Sequence, residues 1–200
     1  MNHDDGHILM GPARISDDDA AYLGRIIREV RPRLVLETGT YYGQGSTLVI
    51  AEALGEIGAG LCMTWERHRP FHEAASAYYA RRSDLAPYVV CICSDMVTGL
   101  AGLNGQAWEA ADIVFLDGGD EMPDGERPPG WKLASESLAA FRIVENMARC
   151  GTHVLLHDWT FPEGRGALVK QVLNPVVWRV VAVTPSHEGL AHLTKRAVVT

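Results

Sequence analysis

A chain of 200 residues that is 47 % hydrophobic and 22 % charged has enough apolar mass for one compact core and too little bias for a disordered or fibrous chain. Its net charge of −7 argues against a surface built to neutralise phosphates, so the expected partner is a small molecule rather than nucleic acid. No apolar run reaches the roughly 20 residues of a membrane-spanning helix, and Met1 to Gly11 is polar, so a cytoplasmic protein is expected.

In chain order, Ser16-Asp17-Asp18-Asp19 opens a first helix, with Ser16 as cap and the acids at the positive end of the dipole. That helix runs to Val30 and Pro32 stops it. Arg33 to Glu37 reads as a short buried parallel strand. The loop Glu37-Thr38-Gly39-Thr40-Tyr41-Tyr42-Gly43-Gln44-Gly45-Ser46 follows directly, and Ser46 to Leu54, closed by Gly55, has helical spacing. Strand, glycine turn and helix make half of a nucleotide-binding unit.

The alternation repeats. Gly60 to Glu66 is strand-like, Pro70 to Arg82 helical, and Tyr88 to Cys93 strand-like, ending at Ser94-Asp95. Asp112 to Asp117 and Thr152 to Asp158 are further strands, with a helix over Ala134 to Ala148 between them. Such a series requires a parallel sheet with helices on both faces, a doubly wound Rossmann-like α/β fold. Val176 to Val183 and Leu190 to Lys195 are spaced as a hairpin that adds an antiparallel strand at the sheet's edge, for seven strands in all. No linker or repeat divides the chain, so one domain is expected over 1–200, a helical segment 1–32 preceding a core 33–200. The Pro-, Gly- and acid-rich stretch Gly118 to Gly130 is long for a loop and is expected to act as a lid.

Cys62, Cys91, Cys93 and Cys150 lack the CxxC spacing of a structural zinc site and read as reduced core thiols. The basic clusters Arg25/Arg28/Arg31/Arg33 and Arg67/Arg69/Arg81/Arg82 are interleaved with acids, as on a solvated face.

The chemistry lies at the strand ends. A carboxylate at Glu37 would repel a diphosphate but suit a donor carrying ammonium and sulfonium charge. Glu66 is placed to accept from two ribose hydroxyls, and Asp95 from the exocyclic amine of adenine, with Met96 or Ile92 as an apolar wall. Taken singly, each acid equally well caps the helix that follows it. The loop Thr38-Gly39-x-x-x-Gly43-x-Gly45 also matches short-chain dehydrogenases, but their Tyr-x-x-x-Lys pair is absent. A noncatalytic binding module is the other alternative, and its mark would be a damaged cofactor loop.

Glu37-x-Gly39-x-x-x-Gly43, Glu66, Asp95 and Leu116-Asp117-Gly118 resemble the successive motifs of class I S-adenosylmethionine-dependent methyltransferases, from Leu34 to the C-terminus. More narrowly, Leu36 to Gly43, Phe115-Leu116-Asp117-Gly118 and Leu155-Leu156-His157-Asp158-Trp159 resemble small-molecule O-methyltransferases of the catechol and bacterial macrolide or sugar types. The resemblance implies S-adenosylmethionine as donor and a natural product, sugar or phenolic acceptor. The implied donor-binding set is Glu37, Gly39, Thr40, Tyr41, Gly43, Ser46, Glu66, Arg67, Asp95, Met96 and Asp117. One of the rings of Tyr41 and Tyr42 would cover the methionine portion.

Relatives of this type often hold a divalent cation between an aspartate ending the fourth strand and an acidic or amide pair ending the fifth. The corresponding positions here are Asp117 and Asp158, and two oxygen ligands suit Mg2+. The pair reads His157-Asp158, without a second carboxylate or amide. Without metal, His157 is the alternative base, with Asp158 orienting it or acting itself, and His187 a lesser candidate. Asp117, His157 and Asp158 are thus the expected catalytic residues. Trp131, Trp159 and Phe161 are candidate shelves for a flat acceptor, and a homodimer is a further expectation.

Overall fold

The computed structural model describes residues 15–118, 133–160 and 165–197. Helix α1 (Asp17–Val30) starts as its sequence demands: Ser16 Oγ accepts from the Asp19 amide at 3.2 Å, and Arg31 closes the helix in a left-handed conformation. Its buried face is Asp19, Leu23, Gly24, Ile26 and Ile27. β1 (Leu34–Thr38) is buried at every position, as a central parallel strand is.

α2 (Ser46–Ile57), β2 (Leu61–Glu66), α3 (Arg69–Ala80) and β3 (Val89–Cys93) follow the expected alternation. α2 runs through Gly55 and ends instead at Gly58, whose φ of 73° supplies the left-handed cap. Then come two helices that periodicity did not disclose, α4 (Met96–Ala101) and α5 (Gly105–Ala110), each only six residues long. β4 (Ala111–Leu116), α6 (Leu133–Met147) and β5 (His153–Leu156) lead to a third unforeseen helix, α7 (Arg165–Val172), and to β6 (Trp178–Val183) and β7 (Ala191–Lys195). The lid expected over Gly118 to Gly130 lies outside the described residues beyond Gly118, as do Trp131 and Phe161.

The seven strands form one sheet in the order β3-β2-β1-β4-β5-β7-β6. β1 pairs in parallel with β2 and β4, β2 with β3, and β4 with β5. The hairpin enters in reverse order: β7, its second strand, pairs antiparallel with β5, which leaves β6 at the edge. One buried cluster centred on Leu36, Val114, Phe141 and Leu156 fills one face, and another centred on Leu23, Ile27, Ile50 and Phe115 fills the other. Alternation along β4 makes this possible, since Val114 and Phe115 point to opposite faces.

The thiols divide differently from the expectation: Cys62 is buried and Cys91 half-buried, but Cys93 and Cys150 are exposed, and all four are free. Arg25 pairs with Glu29 and Arg28 with Glu56 on the surface, as a solvated face requires. Among the described residues no helix is long and apolar enough to cross a membrane.

Candidate active site at the carboxyl edge of the sheet

Strand order reverses between β1 and β4, and in an open α/β sheet the crevice forms at that switch, beyond the carboxyl ends of the strands. The glycine loop sits there. Gly39 has φ 91°, and a Cβ on it would stand 2.8 Å from the backbone oxygen of Asp117, so only glycine lets the loop lie against the end of β4. The Thr38 hydroxyl accepts from the Asp117 and Gly118 amides at 3.1 and 3.2 Å and ties the two strand ends together. Gly43, at φ 74°, is held from below by Tyr79, whose hydroxyl donates to its carbonyl at 2.6 Å. Thr40 is buried and bonds the Thr64 hydroxyl at 2.6 Å.

Glu37 lies under this loop. It is fully buried and accepts from the Ser46 hydroxyl at 2.7 Å, so Ser46 bonds inward at the start of α2. Burial pushes the Glu37 carboxyl up to about 7, against the downward pull of the Ser46 bond.

At the end of β2, Glu66 accepts from the Tyr41 amide at 2.9 Å on one oxygen and from the His68 amide at 2.8 Å on the other. The carboxylate is thereby oriented beside the loop, with lone pairs remaining for two hydroxyl donors. Arg67 turns to Glu136 on α6 at 3.2 Å. Tyr41 takes a left-handed φ of 51° and packs edge-on against Tyr42 and Phe71, with centroids 4.5 and 4.6 Å away. Asp95, at the end of β3, caps α4 by accepting from the Thr98 amide at 2.8 Å. Met96 is buried, its methyl close to Gly118.

On the other side of the switch the structure brings together Asp117, His157 and Asp158, with one ligand-type atom from each within 4.8 Å of the others. β5 ends at Leu156, two residues earlier than expected, and Asp158 adopts a left-handed φ of 56°. His157 Nδ1 lies 3.0 Å from Asp117 Oδ1 and 3.5 Å from Asp158 Oδ1. Its Nε2 faces Asp19 Oδ2 at 3.6 Å, and is buried without a hydrogen bond among the described residues. Burial works against a charge on His157, but the adjacent Asp117, followed by Asp158 and Asp19, outweighs it and lifts the ring to about 9. Burial and the neighbouring Asp117 charge raise Asp158 to about 6. Trp159 is buried with Lys170 over its ring, so that face is covered by the protein itself. His187 is exposed in the hairpin loop, where its carbonyl accepts from the Thr160 hydroxyl.

A family model for a methyltransferase domain matches residues 36–159, the span that holds the glycine loop and every strand-end acid just described. The chain belongs to that methyltransferase family. No curated protein matches it. Among solved structures, this methyltransferase is similar to the O-methyltransferase of tomaymycin synthesis from Streptomyces achromogenes, determined with S-adenosylmethionine: 21 % identity, TM-score 0.67, covering 92 % of this chain and 82 % of that one. It is similar also to a Bacillus cereus O-methyltransferase determined with S-adenosylhomocysteine, at 16 % identity and TM-score 0.68, covering 93 % and 84 %. A third is a Podospora anserina methyltransferase, also with S-adenosylhomocysteine, at 14 % identity and TM-score 0.67, covering 90 % and 78 %.

Sequence reasoning missed two polar residues of this methyltransferase site. Thr38 reads from the sequence only as part of the glycine loop, and its bridging role depends on β4 lying alongside, which only tertiary pairing reveals. Asp19 was assigned to the helix dipole. Its signal was present, because Asp19, Leu23, Ile26 and Ile27 recur on one helical face and all are buried.

Proposed function

We propose that this methyltransferase transfers the methyl group of S-adenosylmethionine to a hydroxyl oxygen of a small acceptor of natural-product, sugar or phenolic type. The observation that supports it best is the convergence at one switch point of a glycine loop, Glu66 and the Asp117-His157-Asp158 group. The acidic balance of the chain favours such an acceptor over a nucleic acid. The loop fits the donor, because glycine at 39 leaves backbone rather than side chain lining the crevice. S-adenosylmethionine supplies an electrophilic methyl on a sulfonium sulfur.

Glu66, already aimed by two amides, takes the ribose hydroxyls, with Arg67 alongside. Asp95 has one oxygen committed to α4 and offers the other to the adenine amine, against Met96. Gly39, Thr40, Tyr41 and Gly43 form the wall for the amino-acid portion, with Glu37 and Ser46 setting the loop from beneath. Asp117 and Asp158 hold the acceptor hydroxyl, and an Asp158 oxygen takes its proton as the oxygen–carbon bond forms. His157 stands between the two acids and lowers their mutual repulsion.

Two carboxylates and an imidazole within 4.8 Å also fit a divalent cation, Mg2+ being the ion that carboxylates with water serve best. Asp117 and Asp158 would hold it, and its chemistry there would be to lower the pKa of a bound hydroxyl. The test is a screen of hydroxyl-bearing acceptors that measures S-adenosylhomocysteine formed, with magnesium and with chelator. Turnover should appear with one acceptor class and fall about 10²- to 10⁴-fold in Asp158→Ala and Asp117→Ala. Full turnover in both variants would remove these residues from the mechanism.

A further inference from the structure

Three consecutive acids open α1, yet only one is buried: Asp17 and Asp18 are exposed, whereas Asp19 is wholly inaccessible. A helix dipole rewards an acid at the surface and does not require its desolvation. A buried carboxylate needs donors, and Asp19 has three hydroxyls: Ser16 Oγ at 2.7 Å, Ser186 Oγ at 2.7 Å, and Thr184 Oγ1.

Two of those hydroxyls are also anchored by backbone amides. Ser186 Oγ accepts from the Gly189 amide at 2.9 Å, and Thr184 Oγ1 from the Leu190 amide at 2.7 Å. Each oxygen thus accepts from a backbone amide while its own proton is given to Asp19. The β6–β7 connection thus fixes the carboxylate from one side. His157 Nε2 lies 3.6 Å from Asp19 Oδ2, the oxygen that also accepts from Ser16 and Ser186, and is a buried nitrogen with no hydrogen bond among the described residues. The opposite nitrogen of the same ring is on Asp117.

We propose that Asp19 is a positioning residue for the acceptor end: its carboxylate, fixed by Ser16, Thr184 and Ser186, holds the Nε2 edge of His157 and so keeps Nδ1 on Asp117. This rests on the reading of Asp117 as a residue that faces the acceptor. Without Asp19, the Nε2 edge loses its counterpart, and the ring is free to turn about its outer torsion, which is broad for histidine. Asp117 then loses its contact with the ring. A helix outside the residues matched by the methyltransferase family model therefore contributes to the site.

The experiment is nitrogen-15 NMR of the histidine side chains in the protein saturated with S-adenosylhomocysteine, with His157 assigned by His157→Gln. Calorimetric titration with S-adenosylhomocysteine runs alongside. Asp19→Asn should displace both ring-nitrogen resonances of His157 while the S-adenosylhomocysteine Kd stays within about threefold of the parent. Ser186→Ala, which keeps the carboxylate but removes one of its donors, should move the same resonances in the same direction by less. This second variant carries the test if Asp19→Asn does not fold. Unmoved His157 resonances in the folded variants would overturn the proposal and leave Asp19 as a clamp between α1 and the hairpin. A parent that fails to bind S-adenosylhomocysteine would count against the donor reading, while the ligand-free His157 spectra would still decide the role of Asp19.

Discussion

Gly39 and Glu66 carry the site in different ways. At Gly39 the demand is steric: φ is 91° and a Cβ would meet the Asp117 carbonyl at 2.8 Å. Gly39→Ala should therefore cost about 2 kcal/mol or more of stability, from backbone strain and the close contact together. Urea unfolding checks it, and an unchanged midpoint would mean that the loop does not pack on β4. At Glu66 the demand is for acceptors. Glu66→Ala should weaken S-adenosylhomocysteine binding by about 1 to 3 kcal/mol, the usual loss on removing hydrogen bonds to a charged group. Unchanged affinity by calorimetry would contradict the ribose assignment. Glu37 adds a pH signature. Its folded carboxyl, raised from 4.5 to about 7 by burial, keeps a proton that the unfolded chain releases, so stability falls as pH rises through that window. Glu37→Gln removes this loss, worth about 2 to 3 kcal/mol. Its melting temperature should gain on the parent steadily from pH 5 to pH 8. A gap independent of pH would mean that Glu37 is ionised in the fold at every pH tested.

At the level of elements, the sequence disclosed those that are long and regularly patterned. β1 and β4 are near-continuous apolar runs, and α1 and α6 have clear helical period. The elements that escaped are short, and their cause is tertiary. α4 is a six-residue helix with glycine at its fourth position, which propensity counts against. Gly99 is needed because a Cβ there would lie 2.4 Å from the Trp65 indole. Gly99→Ala, favourable by propensity alone, should destabilise by about 1 to 3 kcal/mol through overpacking against Trp65. A variant as stable as the parent in thermal melts would show that α4 docks less closely. The order of the hairpin was likewise out of reach, since spacing identifies two antiparallel strands without saying which one meets β5. In the site, the strand-end acids were legible because β-strand runs end at them. The contacts of Thr38 and Asp19 were not, because their partners are 79 and 165 residues away in the chain.

Across the whole molecule, a second, partly buried chain links α1 to the sheet. Tyr22 bonds His192 Nδ1 at 2.9 Å, and His192 Nε2 lies 2.8 Å from His153 Nδ1. Burial, then the His153 and Arg25 charges, pull His192 down to about 4, with Glu29 opposing weakly. The unfolded chain therefore binds a proton that the fold resists, and stability is lost as pH falls from 6.5 towards 4, by about 2 kcal/mol. Glu37 acts in the opposite sense over an overlapping range, so the parent's stability should vary less there than either group implies. His192→Gln should leave the Glu37 dependence unopposed, so that stability falls more steeply with rising pH between 4 and 6.5 than in the parent. A slope no steeper than the parent's would show that this histidine is protonated in the fold. The most direct test of the whole assignment is calorimetric titration of the intact protein with S-adenosylhomocysteine, with NADH as control. Binding at micromolar Kd by the homocysteine compound and none by the nicotinamide is the expected result. Nicotinamide binding, or no binding of either, would contradict a methyl-donor crevice at the β1–β4 switch.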